Sequence, residues 1–186
     1  MSSPEQPVGV SPQEIAKLLS DESLPSPIAA ALRAGMALER IELDAEGRFW
    51  HQGEPFENER LSQLFHRSIA RTPGGTYLIS IPPYSYPFHV ADAPRQVRHI
   101  RIEQAAVMLL LGDDSEQPLD PSSLRYVPSR GLYCLVLAPD AQRWPARFLR
   151  PAYYELLSHI EEADGQYELD LLGQRWPISV GTEPPR

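Results

Sequence analysis

The sequence predicts an α+β fold of two repeated motifs, each a β-hairpin followed by a helix and antiparallel strands, with an N-terminal helical extension. Short segments of alternating apolar residues predict strands, and a few stretches at helical spacing lie among them. The stretches from Leu43 and from Ala138 also share one order: a turn with an aspartate, a tryptophan, a helical segment and a tyrosine. A duplicated unit predicts a seam between two similar modules, at which a ligand could bind.

Residues 1–37 are predicted to hold a disordered tail and two short helices. Ser11-Pro12-Gln13-Glu14 is typical of a helix start, because a serine cap is followed by a proline and, three residues after the cap, by a glutamate. A second helix is predicted from Ser26-Pro27, with Gly35 as its C-terminal cap. The other predicted boundaries are a first repeat at 38–103, a second repeat at 104–180 and a tail at 181–186.

The first repeat is predicted to open with a hairpin, in which a strand at Ile41–Leu43 turns at Ala45–Gly47 and returns through His51. Asn58 is predicted to cap a helix that the Thr72–Gly75 segment ends, with an apolar face of Leu61, Leu64, Phe65 and Ile69. Three prolines in Pro82–Pro87 exclude a central strand, so that segment is predicted to be a loop. Strands are predicted around it at Tyr77–Ile81, Phe88–Val90 and Val97–Ile102.

The second repeat is predicted to contain more strand than helix. Ala105–Leu111 is a continuous apolar run that predicts a fully buried strand, with a helix as the alternative. A helix is predicted to begin at Pro151 and to bury Tyr153, Leu156, Leu157 and Ile160. The remaining strands are predicted as an antiparallel pair at Ser123–Val127 and Leu132–Leu137 and a final hairpin of Tyr167–Leu172 with Arg175–Val180.

Composition narrows the class of protein. The formal net charge of -8 argues against a nucleic-acid partner, because such proteins usually present a basic face to the phosphates. No signal peptide is recognisable, and the longest apolar run is far shorter than the ~20 residues of a membrane span. Cys134 is the sole cysteine, which excludes an internal disulfide and a cysteine-based zinc site. The chain is therefore predicted to be cytoplasmic, with no nucleic-acid partner, no membrane partner and no cofactor.

The basic residues are almost all arginines, since Lys17 is the only lysine. Arginine forks suit carboxylate and phosphate recognition, which would fit an anion site. A GC-rich genome that favours arginine codons gives the same composition, so the arginine content alone does not predict such a site.

Several segments occur in an order that resembles a known family. They are Asp44–Pro55, the helix after it, Val90–Pro94 and Arg150–Leu156. In this order they resemble the bacterial domain-of-unknown-function family numbered 1285, over roughly residues 38–180. The resemblance implies a soluble protein of two related α+β motifs, with no established activity and a suggested part in signalling. The chain departs from the family at Pro82–Pro87 and at Arg95, where an aromatic residue would follow the Asp-Ala-Pro turn.

Catalytic signatures are absent from the sequence, and no catalytic residue is predicted. His89, Asp92 and His99 are the best metal candidates, since two imidazoles and a carboxylate can ligate zinc or ferrous iron if they converge. Asp92 is explained more simply as a turn residue before Pro94. The acidic segment from Asp113 to Asp120 fits no EF-hand and is predicted to be a solvated loop. Cys134, within an apolar run, is predicted to be a buried and inert thiol.

The favoured hypothesis is a non-enzymatic binding or regulatory module with a ligand or protein partner at the seam between the repeats. Arginines would meet an anionic group and aromatic rings would supply apolar area. The predicted ligand-binding residues are Trp50, His51, Tyr84, Tyr86, His89, Arg95 and Arg98. Two alternatives remain: a metal-dependent hydrolase or isomerase that uses His89, Asp92 and His99, and a small acidic chaperone or adaptor protein.

Overall fold

The fold was established from a computed structural model that describes residues 9–103, 106–163, 166–171 and 173–186. The predicted N-terminal tail, apart from Gly9, lies outside these residues, as do Ala105 and Leu172 at the ends of two predicted strands. The chain forms two compact units. The first unit contains residues 9–44 and 48–91, and the second contains residues 45–47 and 92–186. Residues 92–103 therefore belong to the second unit, whereas the predicted first repeat at 38–103 includes them.

Four α-helices lie in the described residues: α1 (Pro12–Leu19), α2 (Ser26–Arg33), α3 (Glu59–Arg67) and α4 (Arg150–Leu157). The predicted capping box of α1 is confirmed, because the Glu14 amide donates to Ser11 Oγ and the Ser11 amide donates to Glu14 Oε2. Asn58 caps α3 by accepting from the Leu61 amide at 3.1 Å. None of the described helices is long and apolar enough to cross a membrane.

The strands of the first unit form two sheets. In chain order they are β1 (Ile41–Leu43), β2 (Phe49–His51), β3 (Glu54–Pro55), β4 (Ile69–Arg71), β5 (Tyr77–Ile81), β6 (Tyr84–Pro87) and β7 (His89–Val90). One sheet has the order β3-β2-β1-β7, in which β1 runs antiparallel to β2 and parallel to β7. The other is the antiparallel sheet β4-β5-β6.

Two predictions for the first unit are wrong. Helix α3 ends at Arg67, so Ile69 lies buried in β4 and not on the helix, and Leu64 is exposed. Pro82–Pro87 is not a loop, because Tyr84–Pro87 forms strand β6 at the edge of its sheet. An edge strand tolerates proline, since one side of it has no ladder to complete.

Asp21, between α1 and α2, holds the turn between β4 and β5. Its carboxylate accepts hydrogen bonds from the hydroxyls of Ser23, Thr72 and Thr76 at 2.5 to 2.6 Å. Burial alone would raise the pKa of Asp21, but these hydrogen bonds outweigh it and lower the pKa well below its usual range. The charged form of Asp21 therefore stabilises the first unit.

The second unit contains one large sheet. Its strands are β8 (Arg95–Ile102), β9 (Val107–Leu111), β10 (Glu116–Pro118), β11 (Arg125–Val127), β12 (Gly131–Leu137), β13 (Arg143–Phe148), β14 (Ile160–Ala163), β15 (Gln166–Leu171) and β16 (Gln174–Val180). Their order is β10-β9-β8-β13-β12-β11-β16-β15-β14. The pairs β13–β8 and β11–β16 are parallel, and the other pairs are antiparallel.

Both faces of this sheet are covered around β12. Successive side chains on a strand point to opposite faces, so Tyr133 and Cys134, both fully buried, serve different clusters. Cys134 lies in the main core with Leu156 of α4, and Tyr133 packs with Ala93 and Val127. The predicted burial of Cys134 is confirmed, and burial raises the pKa of its thiol.

The element order of the two halves is alike in one respect. A hairpin, a helix and three antiparallel strands occur in this order as β1–β2, α3 and β4–β6, with the short strand β3 before α3, and again as β12–β13, α4 and β14–β16. Strands β7 to β11 lie between the two series. The mixed helix and strand content confirms the coarse fold class, whereas the internal repeat stays a prediction.

Candidate functional site

Five of the sequence-predicted binding residues lie in the first unit. The side chain of Trp50 donates through Nε1 to Asp44 Oδ2 at 2.8 Å. His51 Nε2 lies 2.6 Å from Glu39 Oε2, and the Tyr86 hydroxyl donates to the Glu39 carbonyl at 2.9 Å. The structure therefore brings His51 and Tyr86 together at Glu39. Both remaining side chains, Tyr84 in β6 and His89 in β7, are exposed.

The two other predicted residues, Arg95 and Arg98, lie in the second unit and are engaged by neighbouring aspartates. The Arg95 side chain is only 3% exposed, and its Nη1 donates to Asp113 Oδ2 at 2.6 Å. Its guanidinium also lies over the ring of Trp144, 5.5 Å from the centroid. Arg98 Nη2 lies 2.9 Å from Asp114 Oδ1. Arg95 thus supports the fold, with little surface left for a ligand.

The metal candidates do not form a ligand set among the described residues, which contain no group of three or more His, Cys, Asp or Glu side chains able to hold a metal ion. His89 is exposed on β7 in the first unit. Asp92 and His99 lie in the second unit, where His99 Nδ1 is 3.8 Å from Glu155 Oε1. The Asp92 side chain is 4% exposed and already serves other partners.

Asp92 is the centre of a buried hydrogen-bond cluster that the sequence did not predict. The Tyr133 hydroxyl lies within 2.9 Å of both carboxylate oxygens, and Arg147 Nη1 donates to Oδ2 at 3.0 Å. Arg130 Nη2 donates to Oδ1. Tyr133 and Arg147 are direct partners across β12 and β13, which places their side chains on one face of the sheet. The sheet register therefore aims both groups at the same carboxylate.

The cluster shifts the pKa values of Tyr133 and Arg130 in ways that fix their charges. Burial, and then the hydrogen bond to Asp92, raise the pKa of the Tyr133 hydroxyl to about 12, which keeps it a neutral donor. The hydrogen bond from Arg130 to Asp92 raises the pKa of that guanidinium. Neither group is a general base near neutral pH, so the cluster is suited to holding a position and not to proton transfer.

A cavity of about 360 Å³ opens beside this cluster. Arg130, Arg147 and Arg150 all line it, and they come from the β11–β12 turn, from β13 and from the start of α4. The turn needs glycine after Arg130, because Gly131 has a φ of +115°. The rest of the lining is formed by Ala45, Glu46, Gly131, Leu132, Phe148, Leu149 and Tyr153.

The arginines of this cavity have N–H donors that are not used on Asp92. Each guanidinium has five N–H groups, and Arg130 and Arg147 each use only one of them on Asp92. Arg150 is exposed and has no ion-pair partner within the described part of the chain. The three arginines carry three positive charges, whereas the nearby Asp92 and Glu46 carry two negative charges. The site is therefore locally positive, although the net charge of the chain is -8. Such an arrangement can bind an anion through charge-assisted, bidentate hydrogen bonds.

Sequence reasoning missed this group because its members are far apart along the chain. One signal was nevertheless available: three of the segments that carry the family resemblance meet here. Asp44–Pro55 supplies Ala45 and Glu46, Val90–Pro94 supplies Asp92, and Arg150–Leu156 supplies Arg150 and Tyr153.

No family model and no curated protein matches this sequence. Two solved structures do match this chain. A DUF1285 family protein from Silicibacter pomeroyi DSS-3 has a TM-score of 0.56 at 17% identity, over 75% of this chain and 79% of its own. A DUF1285 family protein from Shewanella baltica OS155 has a TM-score of 0.49 at 14% identity, over 63% of this chain and 90% of its own.

This chain resembles DUF1285 family proteins. The resemblance stated from the sequence is thereby confirmed at the level of the fold, and the match to the first of these structures carries it. The DUF1285 likeness identifies no ligand, since its members are domains of unknown function. The site must therefore be judged on its own geometry.

Proposed function

We propose that this DUF1285-like protein is a binding module that recognises a small anion in the cavity lined by Arg130, Arg147 and Arg150, with a regulatory role in signalling. One observation carries the proposal. Three guanidinium groups surround one cavity, and two of them are fixed by the buried carboxylate of Asp92.

The anchoring by Asp92 matters for affinity. A free arginine side chain loses rotamer freedom when it binds, and this loss weakens binding by about 0.5–1.5 kcal/mol per side chain. Arg147, which is 22% exposed, is already held by Asp92 at one end of its fork. Carboxylate and phosphate groups both match the geometry of the donors that remain.

The two alternatives have less support. A metal-dependent enzyme at His89, Asp92 and His99 needs a carboxylate free to ligate, whereas Asp92 accepts hydrogen bonds from Tyr133, Arg130 and Arg147. A chaperone or adaptor role would need an exposed apolar surface. Three of the most exposed large apolar side chains in the described residues, Met36, Tyr84 and Leu137, lie on separate elements or loops.

The test is a calorimetric titration of the purified protein with inorganic phosphate and with acetate. We expect at least one of the two anions to bind, and Arg150→Gln to weaken that binding about tenfold, which corresponds to one lost charge-assisted hydrogen bond. Arg175→Gln is the matched control, because Arg175 is also exposed and lies in the second unit on β16. Equal affinity in both variants, or no binding of either anion, would overturn the proposal.

A further inference from the structure

A second cavity lies against the arginine cavity in the second unit. It has a volume of about 240 Å³ and is lined by Tyr126, Leu132, Tyr153, Leu157, Ile160, Tyr167 and Ile178. Leu132 and Tyr153 line both cavities. The two spaces therefore adjoin at Tyr153 and Leu132.

The lining of this second cavity is aromatic and aliphatic. The rings of Tyr126 and Tyr167 are 6.2 Å apart at 64°, which is an edge-to-face arrangement. The hydroxyls of Tyr126, Tyr153 and Tyr167 make no hydrogen bond with any other group that the structure describes. Burial raises the pKa of Tyr153, as expected for a phenol in apolar surroundings. No charged side chain among the described residues lines the cavity, which is suited to an apolar group.

The volume sets the size of that group. An engineered cavity of about 150 Å³ lined by apolar side chains is large enough to bind benzene. A space of about 240 Å³ therefore accepts one aromatic ring with its substituents. Because the two cavities adjoin, the neighbouring arginines could bind the charged end of the same molecule if no more than a short link joins that end to the ring.

We infer that the ligand is an amphiphilic small molecule whose carboxylate or phosphate binds Arg130, Arg147 and Arg150 and whose aromatic ring fills the tyrosine-lined cavity beside them. This inference rests on the proposed function, because the arginine cavity is the anchor for the charged group. It adds the apolar half of the ligand and so defines a chemical class: aryl carboxylates or aryl phosphates.

The experiment compares matched anions with and without a ring, again by calorimetric titration of the full chain. The pairs are inorganic phosphate with phenyl phosphate, and acetate with benzoate. Burying a ring in the tyrosine-lined cavity should raise affinity about tenfold within at least one pair. The pair with the tighter aryl member tells whether the charged group is a phosphate or a carboxylate.

Variants test whether the aromatic ring of the ligand binds in the tyrosine-lined cavity. Leu157→Gln puts a polar group into the tyrosine-lined cavity at a residue that is already 39% exposed, and we expect it to abolish the tenfold advantage of the aryl anion. Leu137→Gln is the matched control, because Leu137 is 61% exposed at the end of β12 and does not line this cavity. Tyr167→Ser is a second variant at a partly exposed position, and it should act like Leu157→Gln.

The outcomes separate the inference from the proposed function. Phenyl phosphate and benzoate that bind no tighter than inorganic phosphate and acetate, with Arg150→Gln still weakening all of them, would overturn the aromatic inference and leave the anion site standing. An aryl advantage that survives both Leu157→Gln and Tyr167→Ser would also overturn it. If the wild-type chain binds none of the four anions, both the aromatic inference and the proposed function are overturned.

Discussion

The second unit contains two arginine–aspartate sites that differ in which partner is the more buried. At Arg95–Asp113 the arginine is the more buried partner, with 3% of its side chain exposed against 13% for the aspartate. At Asp92 the carboxylate is buried at 4%, and Arg147 and Arg130 are 22% and 40% exposed. The charge of a buried arginine is used in an internal ion pair that stabilises the fold. A buried carboxylate ringed by partly exposed arginines leaves their remaining donors available at a surface.

The largest expected effect is the loss of stability when the buried arginine is removed. Arg95→Met leaves Asp113 without this partner in a mostly buried place, and breaking such a pair costs about 3 kcal/mol. Arg147→Met should cost only about 1 kcal/mol, because Arg130 and Tyr133 still satisfy Asp92. Urea unfolding followed by circular dichroism measures both. Equal losses would show that the two sites do not differ in the way described.

The next effect is a loss of stability at high pH caused by Tyr133. Its folded pKa of about 12 lies above the ordinary value near 10, so the neutral hydroxyl is favoured in the folded state. Its contribution is complete below pH 10 and is lost as the pH rises from 10 towards 12, by at most about 2.7 kcal/mol. Tyr133→Phe should flatten this part of the stability curve relative to Tyr84→Phe. A curve unchanged by Tyr133→Phe would contradict the assignment.

A smaller effect extends the comparison to the first unit, where Asp21 is held by hydroxyls and not by arginines. Its lowered pKa means that its contribution is present above the unfolded value near 4 and is lost as the pH falls further. Asp21→Asn should cost about 1 kcal/mol at pH 7, because the amide oxygen still accepts some of the hydroxyls. The difference from wild type should shrink below pH 4 in denaturant titrations, and a constant difference would exclude this role.

Local signals predicted much of the fold, because caps and alternation act within a few residues. The capping box at Ser11, the cap at Asn58 and the strand at Tyr77–Ile81 were all predicted correctly. Elements that depend on pairing with partners far along the chain could not be predicted from local patterns. The end of α3 at Arg67 and the edge strand β6 depend on pairing with β5.

The candidate site shows the same limit more strongly. Arg95 was selected as an arginine that would meet an anionic group, but its burial against Trp144 and Asp113 is a tertiary property. No local signal in the sequence distinguishes Arg130, Arg147 and Arg150 from other surface arginines. The register of β12 and β13 and the start of α4 bring them to one cavity. The seam site of Trp50, His51, Tyr84, Tyr86 and His89 with the two arginines stays a prediction.

The most direct test of the account follows the arginine side chains themselves. In a titration of the ¹⁵N-labelled protein with phenyl phosphate, the Nε–Hε resonances of Arg130, Arg147 and Arg150 report on the cavity, and that of Arg95 reports on the buried pair. The account predicts saturable shifts for the first three and none for Arg95. Shifts at Arg95 and Arg98 with no change at Arg130, Arg147 and Arg150 would contradict it.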